Sequence, residues 1–190
     1  MSMEDREIEI KVKVENQRPL LAFLKKKARY VGSRRQIDEY FVPAHRNFLA
    51  VYPVKEWLRL RQEGSRYKIT YKGFYYGKDG KPTSCDEFET GLDDIDQARK
   101  IFKALNMKSI VKVDKVRRTW MYKDYEIALD RVARLGDFIE IELKGVSKNS
   151  RRTTDGMMRF LKDLKVGEIH VYEGYPYHLL FPKKAKIYKA

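Results

Sequence analysis

Alternation along Glu7-Ile8-Glu9-Ile10-Lys11 constrains this chain more than any other feature. In an extended strand, successive side chains point to opposite faces. Ile8, Ile10, Val12 and Val14 therefore form an apolar face, and Glu7, Glu9 and Lys11 a charged one. The same layout returns in at least five other segments, with basic faces in the middle of the chain and acidic faces at both ends. Arg59 and Arg61 oppose Leu58 and Leu60; Lys68, Thr70 and Lys72 oppose Ile69 and Tyr71; Lys115 and Arg117 flank Val116. Asp130 is followed, after a turn at Gly136, by Glu140 and Glu142 interleaved with Ile139, Ile141 and Leu143. Taken one at a time, such faces are satisfied by water on the outer side of an antiparallel sheet. Taken together, with the acids in one class and the bases in another, they are the lining of a charged cavity.

The remaining periodicities supply the cover. Pro19 near a first turn, an apolar run from Leu20 to Leu24 and Lys25 to Lys27 near the last turn predict a helix at about 18–29. Ile95, Ala98, Ile101, Phe102 and Leu105 recur at helical spacing and predict a second at about 93–105. Met157, Met158, Leu161 and Leu164 mark a third at about 152–165. Strands are expected near 34–42, 56–63, 66–73, 85–90, 110–121, 123–131 and 137–145, with a hairpin break at Gly64 and a mobile polar loop at 77–82. Strand, helix and three strands occur twice in that order, each copy opening on a Glu-x-Glu pair (Glu7/Glu9 and Glu87/Glu89), the pattern of a duplication inside one domain spanning 1–181. About eight strands can close into a barrel with a usable interior and no exposed edges. The expected fold is α+β: a closed antiparallel eight-stranded barrel, polar within, with helices packed outside and a solvated basic tail at 182–190.

A length of 190 residues suits one substantial core. The balance of 41 Lys and Arg against 27 Asp and Glu, a net charge of +14, calls for a polyanionic partner. The single cysteine, Cys85, excludes an internal disulfide, fits a reducing compartment and reads as a small strand residue without a histidine partner. The start, Met1 to Glu7, carries no apolar signal region, and no apolar run approaches the ~20 residues that span a bilayer, so a cytoplasmic protein without a membrane partner is expected.

Several carboxylates lining one cavity repel strongly: a like-charge pair at ~4 Å costs about 4 kcal/mol at an effective dielectric near 20. A divalent cation relieves that repulsion. An oxygen-only donor set with no Cys/His cluster favours Mg²⁺ or Mn²⁺ over zinc. Arginine and lysine across from it suit phosphate oxygens. Gly73 to Asp79 is too short for a P-loop and lacks the hydroxyl after its lysine. His45, His170 and His178 are scattered and read as structural or exposed, while Tyr172, Tyr175 and Tyr177 read as core or surface aromatics, with stacking on a base as the alternative.

Glu7-x-Glu9-x-Lys11 resembles the ExExK signature of the CYTH family, the triphosphate tunnel metalloenzymes. The resemblance continues through Gln36-Ile37-Asp38-Glu39-Tyr40-Phe41, Leu58-Arg59-Leu60-Arg61, Thr70-Tyr71-Lys72-Gly73, Glu87-Phe88-Glu89, Lys115-Val116-Arg117 and the stretch from Asp130 to Glu142. It is greatest toward the class IV adenylyl cyclase branch; thiamine triphosphatases and inorganic triphosphatases also belong to the family. It implies a tunnel that binds a triphosphate (ATP, thiamine triphosphate or tripolyphosphate) with Mg²⁺ or Mn²⁺. By position it implies Glu7, Glu9, Asp130, Glu140, Glu142 and, less firmly matched, Glu89 on the metal side. Lys11, Arg59, Arg61, Lys72, Lys115 and Arg117 would grip the phosphates, and Glu7, Glu9, Lys11 and Glu140 would be the catalytic groups. Ser84-Cys85-Asp86 departs from relatives that carry an arginine before the second Glu-x-Glu. The implied reaction is cyclisation of ATP or hydrolysis of a triphosphate, by a monomer or homodimer. The alternative from charge alone is a non-catalytic binder of polyphosphate or RNA.

Overall fold

The structure, a computed structural model, describes residues 6–77, 82–147, 149–172, 174–185 and 187–189; the side chains of Arg6, Glu7, Pro82 and Thr83 lie outside that description. The elements run β1 (Arg6–Glu7), β2 (Glu9–Val14), α1 (Arg18–Lys27), β3 (Arg29–Val42), a 3₁₀ turn (Phe48–Ala50), β4 (Glu56–Glu63) and β5 (Arg66–Tyr76). They continue with β6 (Pro82–Leu92), α2 (Ile95–Ala104), β7 (Lys108–Tyr122), β8 (Tyr125–Val132), β9 (Gly136–Leu143), α3 (Ser150–Asp163), β10 (Ile169–Tyr172), α4 (Tyr175–Leu180) and β11 (Ile187–Lys189). Local chemistry explains the helix ends. Pro19 sits in the first turn of α1 and three lysines in its last. The Asp94 carboxylate accepts from the Asp96 and Gln97 amides at the start of α2, and Asn149 caps α3 through the Arg152 amide. Gly64 between β4 and β5 and Gly136 at the start of β9 adopt positive φ, at 61° and 90°, where a Cβ is strained.

The fold is α+β, as expected, but the ladder is not the closed eight-stranded ring. Its order is β1-β6-β5-β4-β3-β7-β8-β9-β2-β10-β11, eleven strands with two ends among the described residues. Three departures account for the count, one of them β10, a strand not expected from the sequence. The first strand is interrupted at Ile8, so that β1 pairs with β6 and β2 with β9. At the other end, the basic stretch expected to lie in solvent carries β11, whose backbone pairs with β10 through Val171 and Tyr188 while its side chains stay exposed. Residues 78–81 of the expected mobile loop, and Lys186 and Ala190 of the tail, lie outside the described residues.

The chain divides into two compact units: Met1–Glu7 with Arg35–Asp114, and Ile8–Arg34 with Lys115–Ala190. The division crosses the sequence repeat. The first unit joins β6 and α2 to β4, β5 and most of β3; the second joins β2 and α1 to β8, β9 and half of β7. Each unit thus takes its strand and helix from one copy of the repeat and its three strands from the other. In the first unit, α2 seats Ile95, Ala98 and Phe102 on Phe41 and Leu60. In the second, α1 and α3 seat Leu20, Leu24, Met157 and Leu161 on Ile10, Val12, Trp120, Ile127, Leu129, Ile139 and Ile141. These are the apolar faces read from the alternation, and the charged residues occupy the opposite face of the same strands.

Leu161 is wholly buried under α3, whereas Ile101 on α2 is 58% exposed. Leu161→Ala is expected to cost about 2–5 kcal/mol in urea unfolding, and Ile101→Ala less than about 0.5 kcal/mol.

Candidate functional site

In the second unit, the rungs of β7, β8, β9 and β2 bring the charges together. Arg117 lies opposite Asp130, Ala128 opposite Glu140, and Glu140 opposite Lys11. The Arg117 guanidinium donates through Nε and Nη2 to both oxygens of Asp130, each at 2.7 Å, and Nη2 donates again to Glu140 at 2.7 Å. Ala128, on the strand between, carries only a methyl group beside that reach. Lys115 approaches Asp130 at 3.2 Å, and Lys11 lies 3.0 Å from Glu140 and 3.4 Å from Glu9. Tyr175, on α4, donates its hydroxyl to Asp130 at 2.9 Å. Burial works against the charge of both carboxylates, yet Lys115 and Arg117 hold Asp130 below the usual carboxylate range. Arg117 and Lys11 hold Glu140 well below it. The Arg117 guanidinium, buried against Glu140 and Asp130, is held well above its ordinary range, and burial beside Asp130 raises the Tyr175 hydroxyl so that it stays a donor. At neutral pH this is a buried network of fixed charges.

The first unit carries a second network on β3, β4, β5 and β6. Asp38, 1% exposed, accepts from Arg61 Nε at 2.6 Å and Nη2 at 2.8 Å. Arg59 stands 3.6 Å from Asp38, 3.6 Å from Glu87 and 4.0 Å from Glu89, and its buried Nε has no hydrogen-bond partner among the described residues. Lys72 lies 3.4 Å from Glu87, and Glu89 accepts from Thr70 at 3.0 Å and from Lys68. Burial opposes the charge of Glu89, but Lys68, Thr70 and Arg59 hold its carboxyl below the ordinary range. Arg59, Arg61 and Lys72 are only 12–14% exposed. A charged face on the outside of an antiparallel sheet does not hide its cations to that degree.

The acidic and basic residues are not segregated as the sequence pattern led us to expect. A charge buried without an opposite charge is too costly, so each cation named above has a carboxylate on a neighbouring rung. Glu9, Glu140 and Glu142 do come together on β2 and β9, where Glu9 faces Glu142 and Glu142 faces Glu126 of β8. Glu126 went unnoticed in the sequence, although its alternation with Ile127 puts it on this face. Asp130 instead lies among Lys115, Arg117 and Tyr175, and Glu89 belongs to the first unit. The side chain of Glu7 lies outside the described residues. Two further residues escaped assignment: Asp38, because charge alone does not reveal its partner, and Tyr175, because its partner Asp130 is 45 positions away.

The donor chemistry of Glu9, Glu140 and Glu142 fits a hard divalent cation, being all oxygen on neighbouring strands whose facing Cβ atoms lie about 5 Å apart. Lys11 and Lys144 now neutralise them, and among the described residues no three Asp, Glu, His or Cys side chains converge as a ready-made metal site.

Comparison with known proteins places these features in a wider set. The family description "CYTH domain" matches residues 5–170. A Methanocaldococcus jannaschii protein with a provisional adenylate cyclase name is 31% identical over 167 residues, covering 87% of this chain and 93% of its own. A solved Pyrococcus horikoshii protein matches with TM-score 0.77 and 24% identity, covering 93% of this chain and 99% of its own. A Hippeastrum protein, provisionally named an adenylyl cyclase and described as having a dominant triphosphatase activity, matches with TM-score 0.65 and 18% identity over 93% of this chain and 95% of its own. At those identities the two structures establish the shared fold. No helix among the described residues is long and apolar enough to cross a membrane.

Beside the second network, α4 also buries His178 against Tyr172, with ring centroids 4.8 Å apart, and leaves its Nε2 without a partner. Desolvation, and after it the Lys13 ammonium, lower His178 from 6.5 to about 4. The unfolded chain takes up this proton near 6.5 and the folded chain only near 4. The contribution is therefore complete above about pH 6.5 and is lost as pH falls toward 4. Between pH 7.5 and pH 5, urea unfolding is expected to lose about 1–2 kcal/mol through this group. His178→Gln is expected to remove that part of the slope.

Proposed function

The chain belongs to the CYTH domain family, and from that premise we propose that it is a divalent-metal-dependent enzyme acting on a triphosphate through its buried cations. Members of the family are generally enzymes that act on triphosphates with a divalent metal. The observation that carries the reading here is Arg59: a buried guanidinium, hydrogen-bonded to Tyr40, whose Nε has no partner among the described residues and whose ion pairs there are no shorter than 3.6 Å. An unmet buried donor costs about 1–3 kcal/mol, and a phosphate oxygen is the acceptor that repays it. Arg61 is already bound through Nε and Nη2 to Asp38, so it serves to hold the aspartate and to add charge rather than to supply a loose donor.

On this reading Arg59, Arg61 and Lys72 in the first unit, and Lys11, Lys115 and Arg117 in the second, are the cations that phosphate oxygens would meet. Glu9, Glu140 and Glu142 would hold Mg²⁺ or Mn²⁺, which when bound supplies Lewis-acid polarisation of phosphoryl oxygens. The protein's own part is positioning and charge stabilisation, with no covalent intermediate required. The Methanocaldococcus relative's name supports cyclisation of ATP to cyclic AMP and pyrophosphate; the Hippeastrum protein's description supports release of orthophosphate. Both reactions use the same grip on phosphate.

Incubation with ATP and with tripolyphosphate, each with Mg²⁺ or Mn²⁺, is expected to yield cyclic AMP with pyrophosphate, or orthophosphate. No product from either substrate would leave the non-catalytic polyphosphate binder as the better reading. Arg59→Ala is expected to raise KM for the productive substrate by about 10- to 100-fold, the worth of a hydrogen bond to a charged group. Glu9→Ala is expected to abolish metal-dependent turnover while leaving the far-ultraviolet circular dichroism unchanged; a binder would be indifferent to it.

A further inference from the structure

Tyr175 does more than fill space. Its ring meets the edge of Phe138 with centroids 4.8 Å apart, which accounts for its packing. Packing does not require the rest. The Lys11 ammonium lies 4.8 Å from the centroid of the Tyr175 ring, over its face, and the Lys115 ammonium 5.1 Å. The hydroxyl shares Oδ2 of Asp130 with Lys115 and Arg117. Two ammoniums near one another repel, and the negative face of an aromatic ring is a neutral surface that attracts both. A carboxylate in that place would bind the lysines as an ion pair and compete with phosphate for them. A ring holds them without a formal charge.

We propose that Tyr175 is a positioning residue for the anion site, its ring fixing the Lys11 and Lys115 ammoniums. This inference rests on the triphosphate reading and adds a determinant of affinity from α4, an element that contributes none of the family-like motifs. The hydroxyl stays a donor because burial beside Asp130 disfavours its ionisation.

The test separates ring electronics from ring shape. Tyr175→Phe keeps the π face; Tyr175→pentafluorophenylalanine keeps nearly the same shape and reverses the quadrupole. Calorimetric titration of each with tripolyphosphate and Mg²⁺ is the readout, with circular dichroism and melting temperature measured alongside. The Phe variant is expected to bind within about threefold of the wild type, and the pentafluoro variant about tenfold more weakly than the Phe variant, the loss of two exposed-scale cation–π contacts. Tyr177→Leu, on the same helix, is expected to leave affinity unchanged. Equal affinities for the Phe and pentafluoro variants, or an equal loss on Tyr177→Leu, would overturn the inference alone. A wild-type protein that does not bind tripolyphosphate would overturn the reading beneath it as well.

Discussion

The contact on which the second unit depends is the fork between Arg117 and Asp130, with Glu140 taking the guanidinium's third bond. Burying one of these charges alone costs several kcal/mol, so none of them tolerates loss of its partner. Their pairing is set by strand register. A slip of one residue between β7 and β8 would turn Arg117 toward the apolar core and Val116 toward the charges. Trp120, Ile127 and Leu129 on the core side enforce the register from one face, and the ion network enforces it from the other. Stability and the geometry of the charged face are thus two consequences of one alignment.

The exchange between the repeat halves gives that alignment its support. α1 packs on strands of the second copy and α2 on strands of the first. Neither copy can bury its own apolar faces without the strand and helix of the other. The Glu-x-Glu strand that opens each copy therefore ends up beside three strands of the other copy, and β2 brings Glu9 and Lys11 to Glu140 and Glu142. Residues far apart in sequence share one face because the helices must cross over to cover grease.

Period-two alternation made β2, β4, β5, β7, β8 and β9 legible, and with them which residues share the charged face. The first three helices were legible from Pro19, from the spacing of Ile95, Ala98 and Phe102, and from the recurrence of Met157 and Leu161. β10, α4 and β11 were not, for a physical reason: four, six and three residues are too few for a period to show, and the aromatic run at 175–177 carries no polar face to compare it with. The partners of the charges were hidden as well. Sequence assigns a sign to Asp130 but not the rung on which Arg117 stands, so acids and bases read as separate camps when burial forces them to alternate. Asp38 and Tyr175 are legible only as chemistry without a target.

The cations of this protein form two populations, and the distinction bears on what the net charge of +14 accomplishes. Arg59, Arg61, Lys11, Lys115 and Arg117 are buried and already face carboxylates, so they add little long-range field. Arg151, Arg152 and Arg159 line a hollow on the solvent face of α3, and Lys25 to Lys27 end α1 in water. These exposed charges act over a Debye length of about 8 Å at physiological salt. They raise the local concentration of any polyanion without choosing among them, which explains why composition alone admits nucleic acid as readily as a nucleotide. The buried set differs: any anion that reaches it must displace or share carboxylates that are already bound. Burial, rather than the count of lysines and arginines, therefore decides which cations an anion can reach.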